Sequence, residues 1–180
     1  MTLLRRTLDL LYGAAAGLAA LSLLGIFLLM MAQMATRELG LQVPGTDDLA
    51  AYLCVATTFF ALAATFKRGE LIRVGMGIEK LGPAARRVAE ILALGLAAVI
   101  VGTIVYWTAQ ETLFSWEIEE VAQGTVPFLV WIPKTAMPLG AGLLLVAILD
   151  ELARVIAGFK PAYVAAAEDR ASRGDFSAEV

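Results

Sequence analysis

Two uncharged runs of membrane length flank one basic stretch, Phe66 to Arg87. That stretch holds Lys67, Arg68, Arg73, Lys80, Arg86 and Arg87, six of the 14 basic residues in the chain. A basic block between two apolar runs is a cytoplasmic loop by the positive-inside rule. Once this loop is placed inside the cell, the direction of every other segment follows. The remaining bases agree with that placement. Arg5, Arg6, Arg154, Lys160, Arg170 and Arg173 fall on the same side, and only Arg37 and Lys134 on the other.

Composition supports a membrane solvent over a soluble core. Apolar residues make up 59% of the chain and charged residues 17%, where a soluble domain carries about 25% charged residues. The apolar residues are also bunched into runs. The net charge of −3, with its bases grouped by loop, argues against nucleic-acid binding. The chain has no histidine, which removes His-ligated haem, His-containing zinc sites and His-based triads. Its one cysteine, Cys54, lies in an apolar run and reads as a small buried apolar residue.

The pattern predicts an all-α integral membrane domain over residues 1–160, with four spans at about 10–36, 49–66, 88–110 and 131–157 and both termini in the cytoplasm. The first uncharged run, Leu10 to Thr36, exceeds the roughly 7–15 apolar residues of a signal-peptide core, so it reads as a span. Gly13 and Gly17 give it a small-xxx-small face that permits a close helix neighbour. Asp47 or Asp48 is placed to cap the second span. Between the second and third spans, Leu71, Val74, Ile78 and Leu81 recur at helical spacing. They predict a short amphipathic helix, about 70–82, on the inner membrane surface. Gly82 ends it, and Pro83 suits the first turn of the next helix. Pro127, Pro133 and Pro138 break the approach to the fourth span. Lys134 would then snorkel to the outer surface beside Trp131. Residues 161–180 are polar and mixed in charge and are expected to form a mobile tail.

Chemistry-bearing groups are sparse. The predicted spans carry no acid at mid-depth. Ser22, Gln33, Thr57, Thr58, Thr103 and Thr108 are isolated, and the threonines are expected to bond back to their own helices. No phosphate loop, paired catalytic carboxylates or metal-ligand spacing is present. This is the profile of a membrane scaffold, not of an enzyme. Arg68, Arg73, Arg86 and Arg87 are the candidates for lipid-headgroup contact, alongside their role in topology. Glu70, Glu79, Gln33, Gly13 and Gly17 are candidates for contact with a partner. Glu117, Glu119 and Glu120 are candidates for an outer docking edge. Trp107, Trp116, Trp131 and Lys134 are interfacial anchors. The alternative reading, a stand-alone four-helix exporter, calls for a membrane-embedded acid, which these spans do not offer.

Two stretches carry a family resemblance. Phe66-Lys67-Arg68-Gly69-Glu70-Leu71-Ile72-Arg73-Val74 resembles the loop between the second and third helices of the small membrane subunit of tripartite ATP-independent periplasmic (TRAP) transporters, DctQ-type. Thr125-Val126-Pro127, Trp131-Ile132-Pro133 and Met137-Pro138-Leu139-Gly140 resemble that family's approach to the fourth helix. The family often has His before the Ile-Arg-Val run and Asp after it, where this chain has Leu71 and Gly75. The resemblance implies a bacterial inner-membrane subunit of a sodium-driven uptake system for organic acids. Its implied partners are a large membrane transport subunit, a periplasmic substrate-binding protein and phospholipid. No cofactor is expected in this chain, the sodium belonging to the large subunit.

Overall fold

A computed structural model of the chain describes residues 3–41, 43–68, 82–124 and 126–158. The regular elements among them are helices: α1 (Leu3–Glu38), α2 (Thr46–Arg68), α3 (Pro83–Glu117), a single turn α4 (Trp131–Lys134) and α5 (Ala136–Ile156). An isolated antiparallel bridge joins Val121 to Leu129 in the α3–α4 connection.

Three of these helices are long and apolar enough to cross a membrane, over Thr7–Glu38, Thr46–Lys67 and Ala85–Glu117. The 36 residues of α1 rise about 54 Å at ~1.5 Å each, well beyond a hydrocarbon core of roughly 30 Å. The helix therefore tilts or projects into the headgroup zone. The 21-residue α5, in the region expected to form a fourth span, is not one of these three.

The termini follow the local chemistry. Gly82 stands at the N-cap of α3 with Pro83 opening the helix, as predicted, because proline lacks a donor that the first turn could not use. Gly40 and Gly158 take positive φ at +70° and +83° just beyond α1 and α5, the conformation that lets the chain turn back on the last carbonyls. Asp47 and Asp48 lie in the first turn of α2, which starts at Thr46. Both acids face the positive end of the helix dipole.

The helices stand in the spatial order α1, α2, α5, α3: α1 packs on α2, α2 on α5, and α5 on α3; α2 and α5 run in the same direction, Phe59 lying at Gly140 and Phe66 by Ala147. The core gathers Tyr12, Ala63, Phe66, Leu94, Ala147 and Ile148 near one end of the bundle. Small residues set the spacing. Ala15, Ala19, Ala63 and Ala64 are buried, and at Gly140 of α5 the backbone of α2 comes so near that a Cβ would fall 2.5 Å from the Phe59 carbonyl oxygen. Glycine is required there because no side chain fits.

Several sequence expectations are corrected. Cys54 is exposed, because it lies with Ala51 and Thr58 on a stripe of α2 turned away from its neighbours. The first two helices extend past their predicted ends, since charge limits a membrane span without limiting a helix. For the same reason α3 continues to Glu117, so Glu111, Trp116 and Glu117 are helical and not in a loop. The fourth segment divides at Thr135 into α4 and α5, yet Thr135 keeps helical backbone angles (φ −58°, ψ −25°) and its N–H still donates to the Trp131 carbonyl, so the prolines interrupt the ladder without turning the chain. The predicted surface helix at 70–82, with Glu70, Arg73 and Glu79, lies outside the described residues except for Gly82. The tail 161–180 does too, as does the side chain of Arg68.

Candidate functional site

Polar side chains gather at the two ends of the bundle, and the apolar surface between them is left open. At the end formed by the start of α1, the C-terminal turn of α2 and the C-terminal half of α5, Asp9 pairs with Lys67. The Lys67 ammonium also lies 4.6 Å from the centroid of the Tyr12 ring, a cation–π distance. Asp150, Glu151 and Arg154 of α5 face the same small cavity as Tyr12 and Lys67. Glu151 is buried, 5% exposed, with Arg154 Nη1 at 3.8 Å from its Oε2. A buried carboxylate needs such a partner, because losing hydration costs more than most contacts return. On the far side of α5, Arg87 of α3 donates from Nη2 to the Ile156 carbonyl at 2.6 Å. That bond meets one of the carbonyls a helix leaves unpaired at its C-terminus. Arg86 pairs with Glu90 one turn along, at 3.1 Å.

At the opposite end, Ser115, Glu120 and Lys134 form a closed triangle. Lys134 Nζ donates to Ser115 Oγ at 2.6 Å and to Glu120 Oε2 at 2.9 Å. Ser115 Oγ donates in turn to Glu120 Oε2 at 2.6 Å. The hydroxyl bond and the ammonium together hold the Glu120 carboxyl below its ordinary 4.5, the hydroxyl contributing most. Ser115 is completely buried. The Glu119 backbone at φ 48° turns the chain out of α3 so that Glu120 can return to the cluster. The connection from Ile118 to Val130 is itself folded. Ala122 N–H donates to the Phe128 carbonyl and Val130 N–H to the Glu120 carbonyl, both at 2.9 Å. Phe128 meets Tyr52 of α2 edge to face at 5.5 Å. Gln33 of α1 reaches Asp47 of α2 at 3.1 Å, tying the first two helices at this same end.

The predicted candidates are thus distributed as follows. Lys134 and Glu120 are brought together, while Glu117 and Glu119 stay exposed and outside the triangle. Gln33 finds its partner within the chain. Gly13 and Gly17 have nothing within 4 Å of where a Cβ would stand, so neither makes a close helix contact within the chain, and Gly13 borders an open cleft beside Ala64 and Lys67 of α2. Trp107 and Trp116 are exposed on α3, and Trp131 is half-buried. Thr57, Thr58, Thr103 and Thr108 each donate to a carbonyl four residues back, as expected.

Sequence reasoning missed Ser115, Tyr12 and the Asp150–Glu151–Arg154 group. A signal existed for the first: Thr108, Thr112 and Ser115 recur at helical spacing and continue α3 past Gln110. The arrangement is one of clamps. Asp9–Lys67, Gln33–Asp47, Arg87–Ile156 and the Ser115–Glu120–Lys134 triangle each fix one element to another, and the long outer faces of α1 and α3 stay apolar. Leu21, Leu24 and Leu28 of α1, and Leu92, Leu96 and Val99 of α3, are each more than half exposed. Such continuous apolar surface belongs against lipid or another membrane protein.

A family model described as "Tripartite ATP-independent periplasmic transporters, DctQ component" matches residues 26–158. No curated protein matches the chain.

Proposed function

The chain belongs to the DctQ family, the small membrane component of tripartite ATP-independent periplasmic transporters, and we propose that it acts there as an accessory scaffold. In this reading it associates in the bacterial inner membrane with a large transport subunit. That subunit moves an organic acid inward with sodium after a periplasmic binding protein has delivered it. The match over residues 26–158 carries the proposal. The exposed apolar faces of α1 and α3 support it, because a large partner would cover surface that this chain leaves open.

The orientation follows the basic residues. The end bearing Lys67, Arg86, Arg87 and Arg154 faces the cytoplasm, and the Ser115–Glu120–Lys134 end faces the periplasm. Four crossings result, α5 being the fourth, with both termini inside. Arg86 and Arg87 then stand at the depth of anionic headgroups. Gly13 and Gly17 of α1 offer a partner helix close approach. Glu117 and Glu119 present the periplasmic edge on which a binding protein docks.

The test is purification of the tagged chain from its own membranes in mild detergent, with mass analysis of what accompanies it. A stoichiometric partner with many spans supports the scaffold reading. Recovery of the chain alone, combined with transport by the chain alone in liposomes, would establish the stand-alone exporter instead.

A further inference from the structure

Where α1, α2 and α5 converge, the bundle leaves a partly open cavity of about 10 Å³, near the smallest space that holds one water molecule. Phe66 and Ala147 form its apolar wall, and Tyr12, Lys67, Asp150, Glu151 and Arg154 supply polar atoms. Two donors in this lining are buried without a hydrogen-bond partner among the described residues: the Tyr12 hydroxyl and Arg154 Nε. Tyr12 is 5% exposed, so bulk water does not satisfy its hydroxyl. A buried polar group left unpaired is costly, and native structures rarely tolerate one.

The chemistry of the lining selects the occupant. A cation would face the Lys67 ammonium, the Arg154 guanidinium and the Tyr12 O–H, all donors. An anion would face the Asp150 and Glu151 carboxylates. A small neutral group that both accepts and donates is compatible with every wall, and at this size that group is water. We propose that the cavity is a hydration site. One water accepts hydrogen bonds from the Tyr12 hydroxyl and Arg154 Nε and donates to the Asp150 and Glu151 carboxylates. Its four bonds match the two lone pairs and two protons that water offers. The consequence is mechanical. The spatial order sets α2 between α1 and α5, and this water links the two flanking helices through polar contacts. It also keeps the buried Glu151 side chain hydrated inside an apolar bundle, where full desolvation would be costly.

The test is a double-mutant cycle in the purified complex, read by thermal unfolding. Tyr12→Phe removes one donor and Arg154→Lys removes the other while keeping the charge. With a bridging water, Tyr12→Phe lowers the Tm by about 2–4 °C. The double variant then loses less than the sum of the two, because the second change removes a bond already broken. A Tyr12→Phe protein of unchanged or higher Tm would overturn the proposal, since removal of a truly unpaired hydroxyl costs nothing. Strict additivity would overturn it as well. A density map of the unmodified complex that resolves ordered water gives a readout independent of the variants. Density at hydrogen-bond distance from both Tyr12 Oη and Arg154 Nε is expected, and an empty cavity there refutes the site.

Discussion

A Cβ at position 140 would stand 2.5 Å from the carbonyl oxygen and 2.6 Å from the carbonyl carbon of Phe59. The obstacle is backbone, which cannot swing aside as a side chain can. At an exposed helix position, Gly→Ala is expected to stabilise by up to about 1 kcal/mol. Here the sign reverses. Gly140→Ala must push α5 off α2, an overpacking cost of about 1–3 kcal/mol. Gly142, half a turn further along α5, has nothing within 4 Å of its Cβ position, so Gly142→Ala should be neutral or mildly stabilising. Thermal unfolding of the two variants side by side checks the contrast. Equal stability of both would show that α2 and α5 do not cross at Phe59.

That crossing shows where the sequence was legible and where it was not. The all-helical build and three long spans follow from runs without charge, and the Gly82–Pro83 start of α3 follows from backbone chemistry. Helix ends were misjudged because charge marks the edge of the hydrocarbon, while helical hydrogen bonding continues through Asp9, Lys67 and Glu111. The Gly13–Gly17 spacing advertises close packing, yet a tight helix–helix contact falls at Gly140 instead. Spacing shows which faces are small and says nothing about which face meets a neighbour. The polar clusters were hidden for a related reason. Lys67 and Asp9 are 58 residues apart, and Arg87 and Ile156 are 69 apart, so only the packed bundle brings them together.

Acid should loosen the Ser115–Glu120–Lys134 clamp. The Glu120 carboxyl is held below its ordinary 4.5 by Ser115 and Lys134. A depressed carboxyl contributes its stability in full above the unfolded value, and that contribution fades as pH falls through the lower folded value. Unfolding of the wild-type chain measured from neutral pH down to below 4.5 should therefore show a decline that Glu120→Gln lacks. Ser115→Ala removes the larger cause, so it brings the folded carboxyl back toward its ordinary value and should shrink the decline. An identical acid profile for wild type and Glu120→Gln would rule out the clamp as a source of pH dependence.

The acids at the end of α3 separate into two kinds. Glu117 and Glu119 are exposed, while Glu120 is bonded to Ser115 and Lys134. If docking of a binding protein uses this edge, Glu117→Lys with Glu119→Lys should reduce uptake several-fold at limiting binding protein and leave the membrane complex intact. Glu120→Lys should instead set two ammonium groups against each other and weaken the fold first, visible as a lowered Tm before any change in uptake. Uptake unaltered by the Glu117 and Glu119 changes would remove the docking role from this edge.

Arg87 can serve topology, lipid or packing, and one conservative change separates packing from the other two. Its guanidinium reaches the Ile156 carbonyl at 2.6 Å and so joins the start of α3 to the end of α5. Lysine keeps the positive charge on which a topological or headgroup role would rest, but it replaces the planar fork with a compact ammonium. If charge alone matters, Arg87→Lys should be silent in both insertion and stability. The observed bond predicts otherwise: normal insertion and orientation, with a stability loss of about 0.5–1.5 kcal/mol. Arg87→Ala should lose at least as much, since it also strips the aliphatic stem. Orientation is read by accessibility of a tag on the C-terminus and stability by thermal unfolding. A lysine variant as stable as wild type would confine Arg87 to its electrostatic role.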